Sequence, residues 1–536
     1  MKPKMPKTPT LSTMTHAAAH TPRLQVFYRL FVVLMLGFAS GLPLALSGQA
    51  MQAWLAGAGL DIATIGFLSI VSMPYTFKFL WAPLMDRFEL PFLGRRRGWL
   101  VLTQLALALA LWCMAQASPA GNLRGFALLA LLVAFLSASQ DVVINAYQTD
   151  LLLPRERGLG SSLQVAGYRL AMILSGGVAF IWVDPVQGSG WTWPQVYRVM
   201  AGLMLAAAVF SALLLPRLFH VEQPRSDARH DVQGFAAVLL AVALGVAATQ
   251  YGLAPLVRWL TDPLWAWVGL AAPLQVKWAD LLTLLLGIAL TLPLAAWAAR
   301  RAQFETLLAS LRDFFTQPGA GPILALIVLY KLGDAFALSL MTPFLLKAMH
   351  FSTGEVGVAN KVFGLWLTIG GALLGGALMM RLRLWRALML FGVLQGAANL
   401  GFWWLAQTGA GSMGQLVVPA FDWGFVKLAQ ATPVDGGLLM VVALENITGG
   451  MGTAAFLALL MSLCSHRFTA TQFALLSAFS SVGRVWVGPL AGVSAETTGW
   501  PRFFVLATVL SVPALVLLWR LRFSIRGLEV QADGAN

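Results

Sequence analysis

The stretch Ser137-Ala-Ser-Gln-Asp-Val-Val-Ile-Asn-Ala-Tyr-Gln-Thr-Asp150 continues an apolar run that begins at Gly125. Gly125 to Leu136 carries no charge, so Gln140, Asp141 and Asn145 fall inside a segment long enough to cross a bilayer. An ionisable group at that depth costs about 3 kcal/mol to insert and marks a water-filled path or a buried partner. The plainer role for Asp141 is to pin neighbouring helices through hydrogen bonds. Either way, the rest of the chain has to supply partners at matching depth.

Composition places the whole chain in the same medium. Of 536 residues, 58% are hydrophobic and 11% charged, with a mean hydropathy of +0.75. A soluble domain carries about 25% charged residues. The formal charge of +14 does not call for nucleic acid, because the basic residues sit in short loops between apolar runs. Two cysteines, Cys113 and Cys464, make neither a disulfide framework nor a metal cluster. The six histidines, His16, His20, His220, His230, His350 and His466, all fall in tails, loops or span ends. With no intramembrane His and no nucleophile–base spacing, enzyme chemistry, a metal or a cofactor is not expected.

The apolar runs predict an all-α polytopic membrane protein with fourteen transmembrane helices. A polar tail, 1–24, precedes six spans within 25–220, near Leu30–Met51, Ile62–Met85, Trp99–Ala117, Gly125–Tyr147, Leu159–Val183 and Val196–Leu215. A linker, 221–318, holds two more, Phe235–Leu256 and Trp278–Ala299. Six spans return within 319–523, near Gly321–Leu346, Gly354–Met380, Trp385–Gln407, Gly436–Leu463, Thr471–Val493 and Phe503–Leu521, and a cytoplasmic tail follows at 524–536. Most of the 36 Lys and Arg lie in the alternate loops that share a side with the N-terminus. Those opposite are Arg124, Arg198, Arg258, Lys277, Lys347, Lys427 and Arg502. This asymmetry predicts both termini in the cytoplasm and an even number of spans.

The order six, two, six reads as two halves with an inserted hairpin outside their shared cavity. A shift of 315 residues lays Ser162 on Ser477 and Arg169 on Arg484, the fifth span of each half, as parallel repeats of a transporter do. Five basic residues, Lys78, Arg169, Lys331, Lys361 and Arg484, lie within spans. At 1.5 Å per residue, Lys78 stands about 12 Å from Asp86 and Asp141 about 14 Å from Asp150, so Lys78, Asp141, Arg169 and Lys331 are able to share one layer. Asp141 is expected to meet at least one of Lys78 and Arg169. Lys331 and Asp334, three residues apart, are able simply to pair with each other. Glu445 and Arg484 read equally as an ion pair or as a proton site.

Several of these residues sit in stretches with a family likeness. Pro83-Leu-Met-Asp86-Arg87 followed by Gly94-Arg95-Arg96-Arg97 resembles the signature loop between spans 2 and 3 of the major facilitator superfamily. More narrowly, the chain is similar to the muropeptide permease (AmpG) family of that superfamily. The matching stretches include Gly37-Phe-Ala-Ser-Gly-Leu-Pro-Leu-Ala45, Phe77-Lys-Phe-Leu-Trp81, Ser137 to Asp141, Gly167-Tyr-Arg-Leu170 and Leu329-Tyr-Lys-Leu-Gly-Asp-Ala335. Glu355-Val-Gly-Val358, Glu445-Asn446, Gly449-Gly-Met-Gly452, Thr471 to Ser477 and Val482-Gly-Arg484 extend the likeness to the end of the second half.

The resemblance implies two six-helix bundles and proton-coupled import of anhydromuropeptides across a bacterial inner membrane, for cell-wall recycling and β-lactamase induction. It implies a monomeric carrier with no cofactor, whose partners are cargo, protons and bilayer. A carrier for another amphipathic solute, or a drug exporter, is the alternative. The residues expected at the cargo or proton site are Lys78, Gln140, Asp141, Asn145, Tyr168, Arg169, Lys331, Asp334, Lys361, Glu445, Asn446 and Arg484. Asp86, Arg87, Gly94, Arg95 and Asp150 are expected to gate it, because a carboxylate–guanidinium pair at a helix end is able to lock two helices.

Overall fold

The computed structural model describes residues 23–534 apart from 61–70, 72, 92, 184–189, 219–226, 269–271, 318, 423–426 and 429. The expected tail 1–24 and the first part of the second expected span therefore lie mostly outside the described residues.

In a bilayer only helices and closed barrels satisfy the backbone, and uncharged runs of about 20 residues fit the helix. In the first half these are α1 (Arg23–Leu46), α2 (Gln49–Gly57), α3 (Met73–Phe77), α4 (Ala82–Arg87), α5 (Arg95–Gln116), α6 (Leu123–Leu151), α7 (Arg157–Met172), α8 (Ala179–Val183) and α9 (Trp193–Leu214). A 3₁₀ turn, Lys78–Leu80, separates α3 from α4, and a π turn, Ile173–Val178, joins α7 to α8. Asn122 caps α6 by accepting from the Gly125 amide at 2.9 Å, which fixes where the long polar-ended helix begins.

The insertion forms α10 (Ala228–Ala248), α11 (Ala254–Val268), α12 (Ala272–Arg301) and α13 (Glu305–Phe315). The first inserted helix does not stop near Leu256. A π turn, Thr249–Leu253, absorbs Gly252 and carries the helix on to Val268. Helix α10 packs on α4 and the Lys78–Leu80 turn, α12 packs on α20 (Thr469–Thr498), and α10 and α12 pack on each other. Leu240, Leu244, Trp259, Leu292 and Trp297 remain exposed, as side chains that face lipid do.

The second half continues with α14 (Ala320–Leu329), α15 (Leu332–Ser339), α16 (Thr353–Gly357), α17 (Leu365–Met379), α18 (Leu384–Thr408), α19 (Gly436–Leu463), α20, α21 (Trp500–Arg520) and α22 (Arg522–Gly534). The long loop before α19 is an antiparallel ribbon, with β1 (Gln415–Val418) on β4 (Thr432–Asp435) and β2 (Phe421–Asp422) on β3 (Lys427–Leu428). Glu355 accepts from the Asp435 amide at 2.6 Å, which ties the ribbon to α16. The expected C-terminal tail is helical through Gly534, with Ile525 fully buried.

Among the described residues, eleven helices are long and apolar enough to cross a membrane. Two further helical runs, 157–183 and 469–498, are also of spanning length. Small residues set how closely the helices approach. A Cβ on Gly167 of α7 would stand 2.2 Å from the Leu34 carbonyl oxygen of α1, and one on Gly41 of α1 would stand 2.4 Å from that of Tyr168. Only glycine permits that crossing, which is how bilayer helices gain packing energy without a hydrophobic drive. The two halves touch along α7 and α17, where a Cβ on Gly376 would stand 2.3 Å from Ser162 Oγ. The start of α1 and the terminal α22 both meet the turn Pro154–Glu156, where Arg29 and Glu156 pair at 2.5 Å, so both ends of the described chain lie on one face.

Candidate cargo and gating sites

Asp141 is buried on α6, and its nearest cation is Lys78, with Nζ 3.8 Å from Oδ2. Ser40 of α1 donates to its other oxygen. Lys78 stands where the second span is interrupted by the 3₁₀ turn. Broken helices at membrane depth are tolerated where protein or a polar cavity receives the freed backbone groups. Near this pair, the Tyr75 and Ser47 hydroxyls lie 3.3 Å apart, and Trp81 Nε1 donates to Ser139 Oγ at 3.0 Å. Asn145 accepts from Gln164 Nε2 at 2.7 Å, which links α6 to α7. Gln140 is fully buried, and neither of its amide atoms has a partner among the described residues.

Arg169 does not join Asp141. Its Nη1 lies 4.0 Å from Met172 Sδ, and among the described residues no carboxylate is within ion-pair distance of it. Helical depth put the two at one level, but depth does not fix the direction each side chain takes. Tyr168, its neighbour, contributes backbone to the tight α1–α7 crossing and is partly buried.

The second half repeats the motif of a lysine at a helix interruption. Lys331 stands between α14 and α15, with Nζ 3.9 Å from Asp334 Oδ2. It donates to Gln395 Oε1 and Thr453 Oγ1, each at 3.2 Å, so it reaches both α18 and α19. Glu445 lies on α19 close to Gln395, since a Cβ on Gly449 would be 3.6 Å from Glu445 Oε1 and 3.8 Å from Gln395 Nε2. Asn446 accepts from Thr368 Oγ1 at 2.7 Å and thereby ties α19 to α17. Lys361 falls in the π turn Val358–Gly364 and Arg484 in α20, and the side chains of both lie outside the described residues.

On the face that carries the chain ends, Asp86 is fully buried and holds four donors. Arg96 Nη1 lies at 2.9 Å, the Ala470 and Thr471 amides at 3.2 and 2.7 Å, and the Thr471 hydroxyl at 2.6 Å. Asp86 thus caps the first turn of α20 from across the two halves, where a carboxylate meets both free N–H groups and the positive end of the helix. Arg96 Nε also donates to Asp150 Oδ2 at 2.9 Å, and Thr469 donates to Asp150 Oδ1 at 2.8 Å.

Which arginine of the signature loop meets the Asp86 carboxylate is set by the structure. Arg95 donates to its backbone carbonyl at 2.7 Å and not to its carboxylate, which belongs to Arg96. Three consecutive arginines on a helix point about 100° apart, so their run identifies the cluster but not its facing member. Arg87 turns away to Asp231 of α10, 3.8 Å distant, and Asp231 also accepts from the Thr306 amide at 3.0 Å. The insertion is in this way stitched to the signature loop. Gly94 precedes α5 with φ of +76°, a conformation that glycine adopts without strain. Thr469, Thr471 and Asp231 are not among the residues expected to gate, and Thr471 entered only through a family-like stretch. A Thr-x-Thr at the start of a span is the one signal that pointed to a cap.

A family model described as Major Facilitator Superfamily matches residues 30–434. The "Anhydromuropeptide permease" of Escherichia coli (strain K12) is 42% identical over 487 residues, covering 91% of this chain and 78% of its own. The "Putative transporter AmpG 4" of Rickettsia conorii is 26% identical over 92% of this chain and 96% of its own. Among solved structures, the proton:xylose symporter XylE of the major facilitator superfamily, bound to 6-bromo-6-deoxy-D-glucose, superposes with a TM-score of 0.58. It covers 93% of this chain and 96% of that one at 10% identity, a likeness of fold alone.

Proposed function

This chain belongs to the major facilitator superfamily and, within it, to the family of the anhydromuropeptide permease, and from that premise we propose that it imports anhydromuropeptides by alternating access. The cargo is N-acetylglucosaminyl-1,6-anhydro-N-acetylmuramic acid and its peptides, carried from periplasm to cytoplasm across the bacterial inner membrane. Both termini face the cytoplasm, and the working unit is a monomer. The observation that carries this reading is the 42% identity across 91% of the chain.

The site chemistry agrees with such a cargo. A disaccharide-peptide brings hydroxyls, amides and carboxylates, which need acceptors, donors and cations placed within an otherwise apolar wall. Lys78, Asp141, Asn145 and Gln140 supply these from the first half. Lys331, Asp334, Gln395 and Glu445 supply them from the second. The Asp86–Arg96–Asp150 network is the gate of the terminus-side face, and it is closed here because it joins α4, α5 and α6 to α20. Proton coupling runs through Asp141 or Glu445, buried or half-buried carboxylates held by far fewer donors than Asp86.

Purified protein mixed with a fluorescent anhydromuropeptide tests the cargo. Unlabelled N-acetylglucosaminyl-anhydromuramyl peptides are expected to displace the probe, and free hexoses and hydrophobic cationic drugs are not. Displacement by the drugs but not by the muropeptides would favour an exporter.

A further inference from the structure

We propose that the terminus-side face carries a binding site for the phosphate of an anionic phospholipid, built from Arg383, Arg386 and Arg526. The three side chains line a cavity of about 320 Å³. Arg383 immediately precedes α18 and Arg386 stands in its first turn, while Arg526 comes from α22, which packs against α18. Among the described residues, no carboxylate pairs with any of the three. Like charges gathered around one space repel, and a phosphate is the group that three guanidiniums suit best, since each offers a planar fork of donors.

The walls are fixed before any ligand arrives. The Arg526 guanidinium lies over the Trp385 ring, 4.5 Å from its centroid, and Trp385 Nε1 donates to the Leu518 carbonyl at 2.8 Å. Ile525, the residue before Arg526, is fully buried and anchors α22.

The position selects a lipid over a soluble anion. Helix α18 enters its apolar run at Leu384, so Arg383 and Arg386 stand at the start of a span. At the matching end of α21 and the start of α22, Trp519 and Phe523 are 55% and 69% exposed, and Arg522 lies 4.7 Å over each ring. Exposed aromatics interleaved with arginine mark headgroup level. Phe523 precedes Arg526 by three residues and so shares its helix face, which places an apolar surface for acyl chains beside the cationic cavity. Helix α22 also touches the turn Pro154–Glu156 of the first half. A headgroup held between α18 and α22 therefore steadies a helix that bridges the halves.

Native mass spectrometry of the full chain in micelles containing equal phosphatidylglycerol and phosphatidylcholine tests this. Wild type is expected to retain phosphatidylglycerol, and Arg383→Gln/Arg386→Gln/Arg526→Gln to lose at least about tenfold of that retention. Arg381→Gln, an exposed arginine outside the cavity, is expected to bind as wild type. The double variant Arg383→Gln/Arg386→Gln leaves the Arg526–Trp385 stack in place and serves if the triple variant does not fold. Equal retention by the wild type and either variant would overturn the proposal. So would displacement of the lipid by excess inorganic phosphate, which would make this a site for soluble anions.

Discussion

Asp86→Ala is expected to cut turnover by at least about tenfold while leaving cargo affinity within a few-fold of wild type. The carboxylate accepts from Arg96, two backbone amides and one hydroxyl, all from the far side of a contact between the halves or from α5. Removing one partner of such a buried pair costs about 3–5 kcal/mol, because the remaining charge and N–H groups stay buried and unsatisfied. Each 1.4 kcal/mol is about tenfold in a population, so even part of that cost shifts the gate from closed toward open. The proposed cargo residues Lys78 and Lys331 stand at helix interruptions away from this network and keep their partners.

The chain supplies its own reporter for that shift. Cys464 follows α19 and is buried, with its thiol donating to the Leu460 carbonyl. Burial pushes that thiol well above its usual range, and Arg157, Asp150, Asp86 and Arg96 act on it electrostatically. In a Cys113→Ser background, Asp86→Ala is expected to speed modification of Cys464 by a soluble maleimide. Normal turnover combined with much weaker cargo binding would refute a gating role.

Asp141→Asn is expected to reduce gradient-driven accumulation to the level of protein-free liposomes while leaving a folded protein in the membrane. Asparagine keeps the shape and still accepts from Ser40, but it has no charge to balance Lys78 at 3.8 Å and no proton to exchange. The contrast with Asp86 supports the two proposed roles. Four donors fix Asp86 in one state, whereas Asp141 has one hydroxyl and one cation beyond hydrogen-bond reach. A carboxylate so loosely held changes partners when the halves move, which is what coupling a proton to transport requires. Gel filtration separates this outcome from misfolding, and accumulation at the wild-type level by Asp141→Asn would sink the claim.

Much of this was legible before the coordinates. Apolar run length placed the helices, because runs of about 20 residues fit a spanning helix and exceed a spanning strand. Rise per residue put Lys78, Asp141, Arg169 and Lys331 in one layer, and a three-residue spacing allowed Lys331 to reach Asp334. Rotation was not legible. Arg169 shares a level with Asp141 but points elsewhere, and the run of three arginines does not say that Arg96 is the one to face Asp86.

Nor did span-length reasoning reveal α22, a short helix whose arginines and buried Ile525 read as a charged tail. The ribbon before α19 was missed for a related reason. Its strands are two to four residues long and interrupted by Pro and Gly, too short to show an alternating pattern. The extension of the first inserted helix to Val268 depends on a π turn that no periodicity announces.

The most direct test of the account is uptake of radiolabelled N-acetylglucosaminyl-anhydromuramyl tripeptide by proteoliposomes holding the purified chain. With the outside acidic, the label is expected to accumulate above its external concentration and to drain out when a protonophore collapses the gradient. Label that never enters, or that enters at the same rate and extent with and without the gradient, would contradict proton-coupled muropeptide import.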